Sequence, residues 1–301
     1  MGIAVRLAQE LRLMAEPDDH LPAYEQDARR RIFWSLYLLE RLAACGRYRP
    51  PAILDQTCSL RLPCEDEGFQ STRAGPTLLD LSRLSPGHSQ TLGPHAKVII
   101  AARSLSECAQ HMLQPQYPEC RYPPWHPQSQ HAAIASKMLL LDRLFALSQP
   151  LEHVLNTKGG VLQSSSFALL FSRLLANLSQ CLLYHPFLLY ERVAASQVQP
   201  PKHFWRHARE LSQSAADDLI DLIRTARNYG CSLTSSFSGY CVTAAATIQV
   251  LNSVSSDFNE EHLWQPQYLD CKRHLEHLRV YWPNAATMVR YRVDIFVVYE
   301  R

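Results

Sequence analysis

Apolar residues recur at intervals of three and four along nearly all of this chain. At the N-terminus Ile3, Leu7, Leu11 and Met14 follow this spacing, and Pro17 comes soon after them. Because an α-helix has 3.6 residues per turn, the pattern predicts a short amphipathic helix that ends before the proline.

The second predicted helix is longer and runs from about Pro22 to Ala44. Gly46 comes two residues later, and a glycine commonly ends a helix because it adopts positive φ without steric penalty. An amphipathic helix usually turns its apolar stripe toward the core of the protein. The stripe predicted for this helix consists of Ile32, Phe33, Leu36, Leu39 and Ala43.

Seven more helices are predicted, over 96–113, 129–148, 164–183, 200–228, 237–253, 267–281 and 285–299. The last is rich in β-branched residues, which favour strands. Prolines and glycines interrupt the helical pattern over 49–94, where one helical turn is predicted near 78–84. They interrupt it again over 115–128, which carries five prolines and is predicted to form an ordered surface loop. Strands and helices do not alternate, so the predicted fold class is all-α with long Pro/Gly-rich connections.

The composition is that of a globular protein, with 47% hydrophobic residues, 19% charged residues and a net charge of +2. Proteins that coat nucleic acid usually have a strong basic excess, which is absent here. The nine cysteines include no C-x-x-C pair, so they are interpreted as reduced, mostly buried residues of an intracellular protein. The longest uncharged stretch, 228–256, is rich in serine and threonine. We therefore expect no membrane span and no secretory signal.

One motif points to an enzyme. The sequence DDLID at 217–221 places Asp217 and Asp221 on one helical face, where carboxylates can hold Mg²⁺ against a diphosphate. A second motif with N-x3-S-x3-E spacing is formed by Asn252, Ser256 and Glu260. The pair of motifs resembles the metal motifs of class I terpene cyclases, but in that family the motifs lie far apart, and here 35 residues separate the first from the second. Arg224 is also placed to form an ion pair with Asp221. A cyclase-like Mg²⁺-dependent enzyme therefore remains an alternative only.

Two histidine pairs could contribute to metal binding. His274 and His277 are three residues apart, and His203 and His207 are four apart. Neither pair has a third ligand placed by the sequence, so surface or interfacial residues are the favoured interpretation. The chain contains no G-x-S-x-G, P-loop or G-x-G-x-x-G motif. We therefore predict no enzyme, no metal site and no bound cofactor.

Three consecutive arginines, 29–31, precede Trp34. On a helix they spread over roughly 200°, so they cannot all face one phosphate backbone. Arg30 or Arg31 lies about one turn before Trp34 and can stack on it or pair with an acid. Structural anchoring is therefore favoured over DNA contact.

The segments around these arginines have a distinctive order. ARRRIFWSLYLLER at 28–41 is followed by GRYRP at 46–50 and LRLPCED at 60–66. This order resembles the fungal-specific transcription factor domain, the regulatory middle homology region of fungal zinc-cluster regulators. That family has an Arg-Arg pair before an aromatic pair, an acid–Arg pair at the helix end, a Gly-Arg-Pro turn and an LP-plus-acid segment. The matching positions are Arg30, Arg31, Trp34, Glu40, Arg41, Gly46, Arg47, Leu62, Pro63, Asp66, His185 and Pro186.

The later helices are also similar to the family, so the resemblance covers most of the chain. Three departures stand out. Glu40 occupies a position where Asp is usual, GRYRPP inserts residues into the turn, and YHP at 184–186 lacks the arginine of the family's His-Arg-Pro-like turn. The resemblance implies a single all-α regulatory domain over 1–301, truncated at its N-terminus, from a nuclear regulator of RNA polymerase II transcription.

This chain lacks the six-cysteine zinc cluster of full-length relatives. DNA contact is therefore expected only through a missing N-terminal segment or a partner, and zinc only in that absent cluster. The partners that the family implies are a small-molecule effector, a homodimer partner or a co-regulator, with no membrane. A helical interaction module unconnected to transcription is the second alternative.

Overall fold

The computed structural model describes ten segments of the chain. They are 1–45, 50–63, 76–78, 92–113, 122–145, 157–158, 161–162, 164–231, 233–254 and 266–288. The predicted helical turn near 78–84 and most of the predicted helix 285–299 lie outside the described residues, although 283–288 is helical.

The described residues are mostly helical, which confirms the all-α class. The helices are α1 (Gly2–Glu10), α2 (Ala23–Ala44), α3 (Pro94–Leu113), α4 (Gln130–Phe145), α5 (Ser164–Leu183), α6 (Pro186–Ala195), α7 (Lys202–Asn228), α8 (Ser236–Val254) and α9 (Pro266–Leu278). One 3-10 turn spans Asp55–Thr57, and two strands of two residues, β1 (Thr157–Lys158) and β2 (Val161–Leu162), pair antiparallel.

The largest differences from the sequence prediction concern two helices. α1 ends at Glu10 rather than near Met14, and Arg12 has a φ of 52°, which a continuing α-helix does not allow. α6 was not predicted. It is short, and its start at His185 followed by Pro186 was interpreted only as a turn, although proline is favoured at the first helical position because it has no N–H to leave unpaired.

The chain divides into two compact units. Unit 1 comprises 1–114 and 136–176, and unit 2 comprises 115–135 and 177–301. The prediction of a single domain over 1–301 stays a prediction.

In unit 1, α2 packs against α3. α3 is buried around much of its circumference, from Ala96 to Met112, as expected for a central helix. α2 buries only one face, which carries aromatic and charged residues. This face holds the segment 50–63, in which Ile53, Leu60 and Leu62 are buried.

The predicted stripe of α2 is wrong in its orientation. Of its five members only Phe33 is buried, whereas Ile32 and Leu39 are each 57% exposed. The buried face instead carries Phe33, Trp34, Tyr37, Glu40 and Arg41. The prediction used hydrophobicity alone and therefore placed the aliphatic face in the core. Hydrophobicity carries no information on the partners of charged side chains, and here those on the opposite face are buried because they are paired inside the protein.

In unit 2, α7, α8 and α9 pack together. α8 is rich in small residues, and Gly239 allows it to approach α9 closely, with Leu275 and Leu278 beside its Cα. The described end of the proline-rich loop, 122–128, is ordered in turns. Trp125 fastens it by packing edge-on against Phe204 of α7, with 5.5 Å between the ring centroids.

The cysteines and one apolar helix bear on the predicted cellular environment. Seven cysteines lie in the described residues; all are free, and all but Cys45 are buried. Within α5, residues 166–183 are long and apolar enough to cross a membrane, but 72% of this window is buried inside the protein. A buried core helix of a globular protein meets the same criteria, so the window carries no membrane assignment.

Candidate functional site

The residues that the sequence analysis singled out in α2 lie on one face of that helix. Arg30, Trp34, Tyr37 and Arg41 follow a spacing of four, three and four, which aligns their side chains along one side. We call this side the inner face. It contacts the irregular segment 50–63, and side chains of α2 supply most of the hydrogen bonds between the two.

At one end of the inner face, Glu16 joins three parts of the chain. Its Oε2 accepts hydrogen bonds from Arg30 Nη2 at 2.7 Å and Arg30 Nε at 3.1 Å. Its Oε1 accepts the backbone N–H of Arg61 at 2.7 Å. Next to it, Trp34 Nε1 donates to the backbone oxygen of Arg61 at 2.8 Å, and the indole is only 3% exposed. Residues 16, 30–34 and 61 are therefore held together by one carboxylate and one indole.

At the other end, Asp55 lies between two arginines. Its Oδ1 accepts from Arg41 Nη2 at 2.7 Å, and its Oδ2 is 2.7 Å from Arg103 Nε on α3. The Tyr37 hydroxyl donates to the same Oδ1 at 2.8 Å. Arg41 also donates to the Ile53 oxygen at 2.6 Å, and its guanidinium carbon lies 4.5 Å from the centre of the Tyr37 ring.

These contacts compensate the burial of the Arg41 guanidinium. A buried charge is tolerated when it is paired and hydrogen-bonded, and Arg41 is 5% exposed with Asp55, Ile53 and Tyr37 around it. Burial raises the pKa of Tyr37 well above its ordinary value; Arg41 opposes this shift and Asp55 reinforces it. Tyr37 is therefore a neutral hydrogen-bond donor at physiological pH.

Glu40 fastens the start of the same segment. Its Oε1 accepts the backbone N–H of Ala52 at 2.5 Å. Its other oxygen, Oε2, is buried 3.8 Å from Arg41 Nε, and neither atom has a hydrogen-bond partner in the described part of the chain. The longer side chain of Glu40 therefore reaches the backbone of residue 52 and also contributes negative charge beside Arg41.

The three consecutive arginines have separate roles. Arg29 donates to the backbone oxygen of Leu11 at 2.8 Å, Arg30 pairs with Glu16, and Arg31 pairs with Asp27 at 2.6 Å. Pairing with acids, one of the two predicted modes, is the contact observed. Each of these arginines therefore already has a partner within the protein. We call the inner face of α2 together with the residues that it binds the polar clasp; its members are Glu16, Arg30, Trp34, Tyr37, Glu40, Arg41, Asp55, Arg61 and Arg103.

Comparison with known proteins identifies the family of this chain. The family model described as the fungal specific transcription factor domain matches residues 1–183, which include α1 to α5 and the whole polar clasp. The chain belongs to this family.

Three relatives come from Fusarium oxysporum f. sp. lycopersici and are described as Zn(2)-C6 fungal-type transcription factors. FTF1c is 24% identical over 93% of this chain and 32% of its own length. FTF2 and FTF1a are each 24% identical over 93% of this chain, and over 28% and 27% of their own lengths. The chain thus spans about a third or less of the relatives it matches, and no solved structure matches it.

The positions carried over from the transcription factor family fall into three groups. The clasp contains Arg30, Trp34, Glu40 and Arg41, whereas Arg31 lies outside it on the surface. Pro63 is half-buried and follows the buried Leu62, at the end of the clasped segment. Gly46, Arg47 and Asp66 lie outside the described residues.

His185 and Pro186 belong to unit 2, at the start of α6. His185 Nε2 lies 3.1 Å from Thr247 Oγ1, and the Thr247 hydroxyl donates to the Ala244 oxygen, so the imidazole N–H donates to Thr247. Burial lowers the pKa of His185 to about 4. The imidazole is therefore neutral at physiological pH and links α6 to α8.

The sequence analysis missed several residues of the clasp, namely Glu16, Tyr37, Asp55, Arg61 and Arg103. Tyr37 could have been found, because it continues the four–three–four spacing of Arg30, Trp34 and Arg41. Asp55 and Arg103 carry no such local signal. They meet Arg41 only through the tertiary fold.

The DDLID motif has structural partners. The carboxylate of Asp217 accepts amide hydrogen bonds from Gln249 at 2.6 Å and Gln213 at 3.2 Å, which ties α7 to α8. Asp221 pairs with Arg224 at 2.6 Å, as the sequence predicted. Ser256 and Glu260 of the second motif lie outside the described residues. The described part of the motif thus acts as a helix–helix contact.

Of the four histidines in the two predicted pairs, three are exposed and one is buried. His203, His207 and His277 are exposed, which confirms the surface interpretation for them. His274 is not on the surface: it is 6% exposed, and its Nε2 lies 3.1 Å from Ser238 Oγ, at the contact between α9 and α8. Across the described residues, no group of three or more His, Cys, Asp or Glu side chains is placed to hold a metal ion.

Proposed function

We propose that this chain is the regulatory region of a fungal zinc-cluster transcription regulator that acts in the nucleus on genes transcribed by RNA polymerase II. The observation that carries the proposal is the family match over residues 1–183. The relatives described as Zn(2)-C6 transcription factors support it, because they align with 93% of the chain. The zinc in the description Zn(2)-C6 is said of those relatives only. The proposal assigns no metal, cofactor or catalytic activity to this chain.

In this proposal DNA contact is made by another segment of the regulator or by a partner. Support comes from charge, because phosphate binding needs basic side chains that are available. The net charge is only +2, and Arg29, Arg30 and Arg31 are each bonded within unit 1. The regulatory region then responds to a small-molecule effector or a co-regulator rather than to DNA sequence.

The regulatory role is tested with a reporter gene. The 301-residue chain is fused behind a heterologous DNA-binding domain in a fungal cell that carries a reporter with the matching site. We expect the fusion to change reporter output relative to the DNA-binding domain alone. The Asp55→Asn fusion is expected to lose this effect, because it breaks the clasp, whereas Asp221→Asn, at an exposed ion pair, keeps it.

Immunoblotting checks that the fusions accumulate to equal levels. An unchanged reporter with the wild-type fusion contradicts the regulatory role. DNA contact is tested separately by gel retardation with the isolated chain at moderate salt. Specific binding in the nanomolar range, typical of complete regulators, contradicts the part of the proposal that places DNA contact elsewhere.

A further inference from the structure

Basic and aromatic side chains are interleaved at the start of α7. The sequence of 202–209 is KHFWRHAR, and no acidic residue follows before Glu210. All five basic or histidine residues of this segment are exposed, whereas the arginines at 29–31 are bonded within unit 1. Basic residues with aromatic rings between them are typical of surfaces that bind single strands of nucleic acid.

Three cations and one ring of this segment lie on the same side of α7. Because an α-helix has 3.6 residues per turn, Lys202, Arg206 and Arg209 fall with Trp205 in an arc of about 100°. Arg209 donates to the Asn252 oxygen at 2.6 Å and remains exposed. The side chains of Lys202 and Arg206 have no ion pair and no hydrogen bond among the residues that the structure describes. These two cations are therefore available to a ligand.

Trp205 is part of a larger aromatic surface. Its ring centroid lies 6.4 Å from that of Tyr190 on α6. Tyr190 is 64% exposed, and Phe187, which lies three residues earlier on the same side of α6, is 48% exposed. Phe204 packs edge-on against Trp205 at 5.7 Å and holds the indole in place. We name the six exposed or half-buried residues together the basic–aromatic surface: Phe187, Tyr190, Lys202, Trp205, Arg206 and Arg209.

Local stability does not explain the basic–aromatic surface. The amino end of a helix is the positive end of its dipole, so cations there destabilise the helix. Lys202 and Arg206 occupy the first two turns of α7. Exposed rings that lie together also usually mark an interaction site. A ligand that carries both negative charge and flat rings accounts for both features.

We propose that the basic–aromatic surface binds single-stranded nucleic acid without reading its sequence. Lys202 and Arg206 bind backbone phosphates, and unpaired bases stack on Tyr190 and Trp205. In a duplex the bases are stacked on one another and only the phosphates are accessible, and an acidic peptide offers only its charge. The single strand is therefore the ligand that complements both the cations and the rings. This inference goes beyond the proposed regulatory function and does not depend on it.

The small number of cations predicts weak binding that depends on salt. About three phosphate contacts supply the affinity of a non-specific complex, with a dissociation constant of about 1–100 µM. For single strands the logarithm of the binding constant falls with the logarithm of salt concentration by about 0.7 per phosphate, so a slope of about −2 is expected. Recognition of duplex DNA stays with the other segment or partner to which the proposed function assigns it.

The phosphate contacts are tested by fluorescence anisotropy of labelled oligo(dT) and oligo(U) with the purified chain over a salt series. Lys202→Gln combined with Arg206→Gln removes two contacts, so we expect the slope to become about −0.7 and the dissociation constant to rise by at least about tenfold. The matched control combines Lys272→Gln with Arg279→Gln. Both residues are exposed in unit 2 and outside the surface, so the same loss of charge should change neither quantity.

Base stacking is tested by Tyr190→Ala, which removes a ring without changing the charge. We expect the dissociation constant to rise by about tenfold while the salt slope stays at the wild-type value. Tyr24→Ala is the control, because Tyr24 is 66% exposed on α2 and lies outside the surface. It should bind as wild type does.

Circular dichroism confirms that each variant keeps the wild-type helical content. Binding of either oligonucleotide supports the proposal, and the tighter of the two shows whether the ligand is RNA or single-stranded DNA. The proposal is overturned if neither binds with a dissociation constant below about 100 µM. It is also overturned if a duplex or polyglutamate of equal charge binds as tightly, or if the surface variants bind as their controls do.

Discussion

At the scale of single residues, the unusual feature of this protein is a buried arginine on the face of α2 that packs into the core, where aliphatic side chains were expected. Arg41 is enclosed by Asp55, Ile53 and Tyr37 on the inner face of α2. Removing one partner of a buried ion pair is far more damaging than never having the pair, because the remaining charge stays desolvated. Asp55 is the key partner, since it also binds Arg103.

Asp55→Asn keeps the size of the side chain and removes its charge. We expect it to lower the free energy of unfolding by about 3–5 kcal/mol, because Arg41 and Arg103 lose the carboxylate that they share and only Glu40, 3.8 Å away, remains as a counter-charge for Arg41. Urea unfolding followed by circular dichroism measures the loss. Asp221→Asn is the control: Asp221 and Arg224 are 53% and 43% exposed, so a change within about 1 kcal/mol is expected. Equal losses in the two variants would show that the clasp charges are solvated.

Trp34 is the largest side chain of the clasp, and it packs edge-on against Phe33 and Tyr37 with ring centroids 5.1 and 5.5 Å away. Trp34→Ala leaves a cavity and is expected to destabilise by about 3–5 kcal/mol in urea unfolding. Trp34→Phe keeps most of the packing but removes the N–H that binds the Arg61 oxygen, so an intermediate loss is expected. A negligible loss for Trp34→Ala would contradict the anchoring role.

At the scale of elements, the limits of prediction are clearest in α2. The sequence predicted the helix almost to the residue, because its apolar and aromatic residues keep helical spacing and its ends are marked by Pro22 and Gly46. It could not predict which face is buried. Two rows with the same four–three–four spacing lie on opposite sides, and the partners of the buried row, such as Glu16 for Arg30 and Asp55 for Arg41, are each fourteen residues away along the chain.

The contact between α8 and α9 depends on a glycine. A Cβ built on Gly239 would lie 3.2 Å from Leu278 Cδ1 and 3.3 Å from Met288 Sδ. Gly239→Val is expected to destabilise by about 1–3 kcal/mol through overpacking, measured by urea unfolding. Gly239→Ala adds only the methyl group and gains helix propensity, so we expect a smaller effect. If both variants are as stable as wild type, the helices do not require this close approach.

At the scale of the whole molecule, helical periodicity was sufficient to predict the all-α class and most helix positions. α5 is observed at Ser164–Leu183, the predicted range, and α3 and α7 differ from theirs by two residues at one end. The polar network of the clasp could not be predicted in the same way. Its members come from α2, α3 and two irregular segments, and periodicity carries no information about contacts between segments.

Three histidines whose pKa values are lowered by desolvation predict how stability depends on pH. Burial lowers the pKa of His131, His185 and His274 to about 4, whereas the unfolded chain titrates near 6.5. Between these values the unfolded chain binds protons that the folded protein does not, so stability is fully present above about pH 6.5 and falls as pH drops toward 4. The urea midpoint measured over this range is expected to decrease.

The histidine contribution is isolated with a substitution. His185→Gln keeps an amide donor for Thr247 and removes one titrating group, so the slope of unfolding free energy against pH should fall by up to about 1.4 kcal/mol per pH unit. His203→Gln, at an exposed histidine, is the control and should keep the wild-type slope. An unchanged slope for His185→Gln would show that its imidazole is protonated in the folded protein.

The clasp also has a consequence for sequence drift. Trp34, Arg41 and Glu40 bind the Arg61 oxygen, the Ile53 oxygen and the Ala52 N–H, and all three of these are main-chain atoms. Every residue supplies a backbone oxygen, and every residue except proline supplies an N–H. The exposed side chains of Ala52 and Arg61 can therefore mutate without loosening the clasp, while α2 cannot. Selection on these three contacts therefore acts on the codons of α2 and leaves the codons for Ala52 and Arg61 comparatively free, whereas the codon for Asp55 stays constrained because its carboxylate binds Arg41.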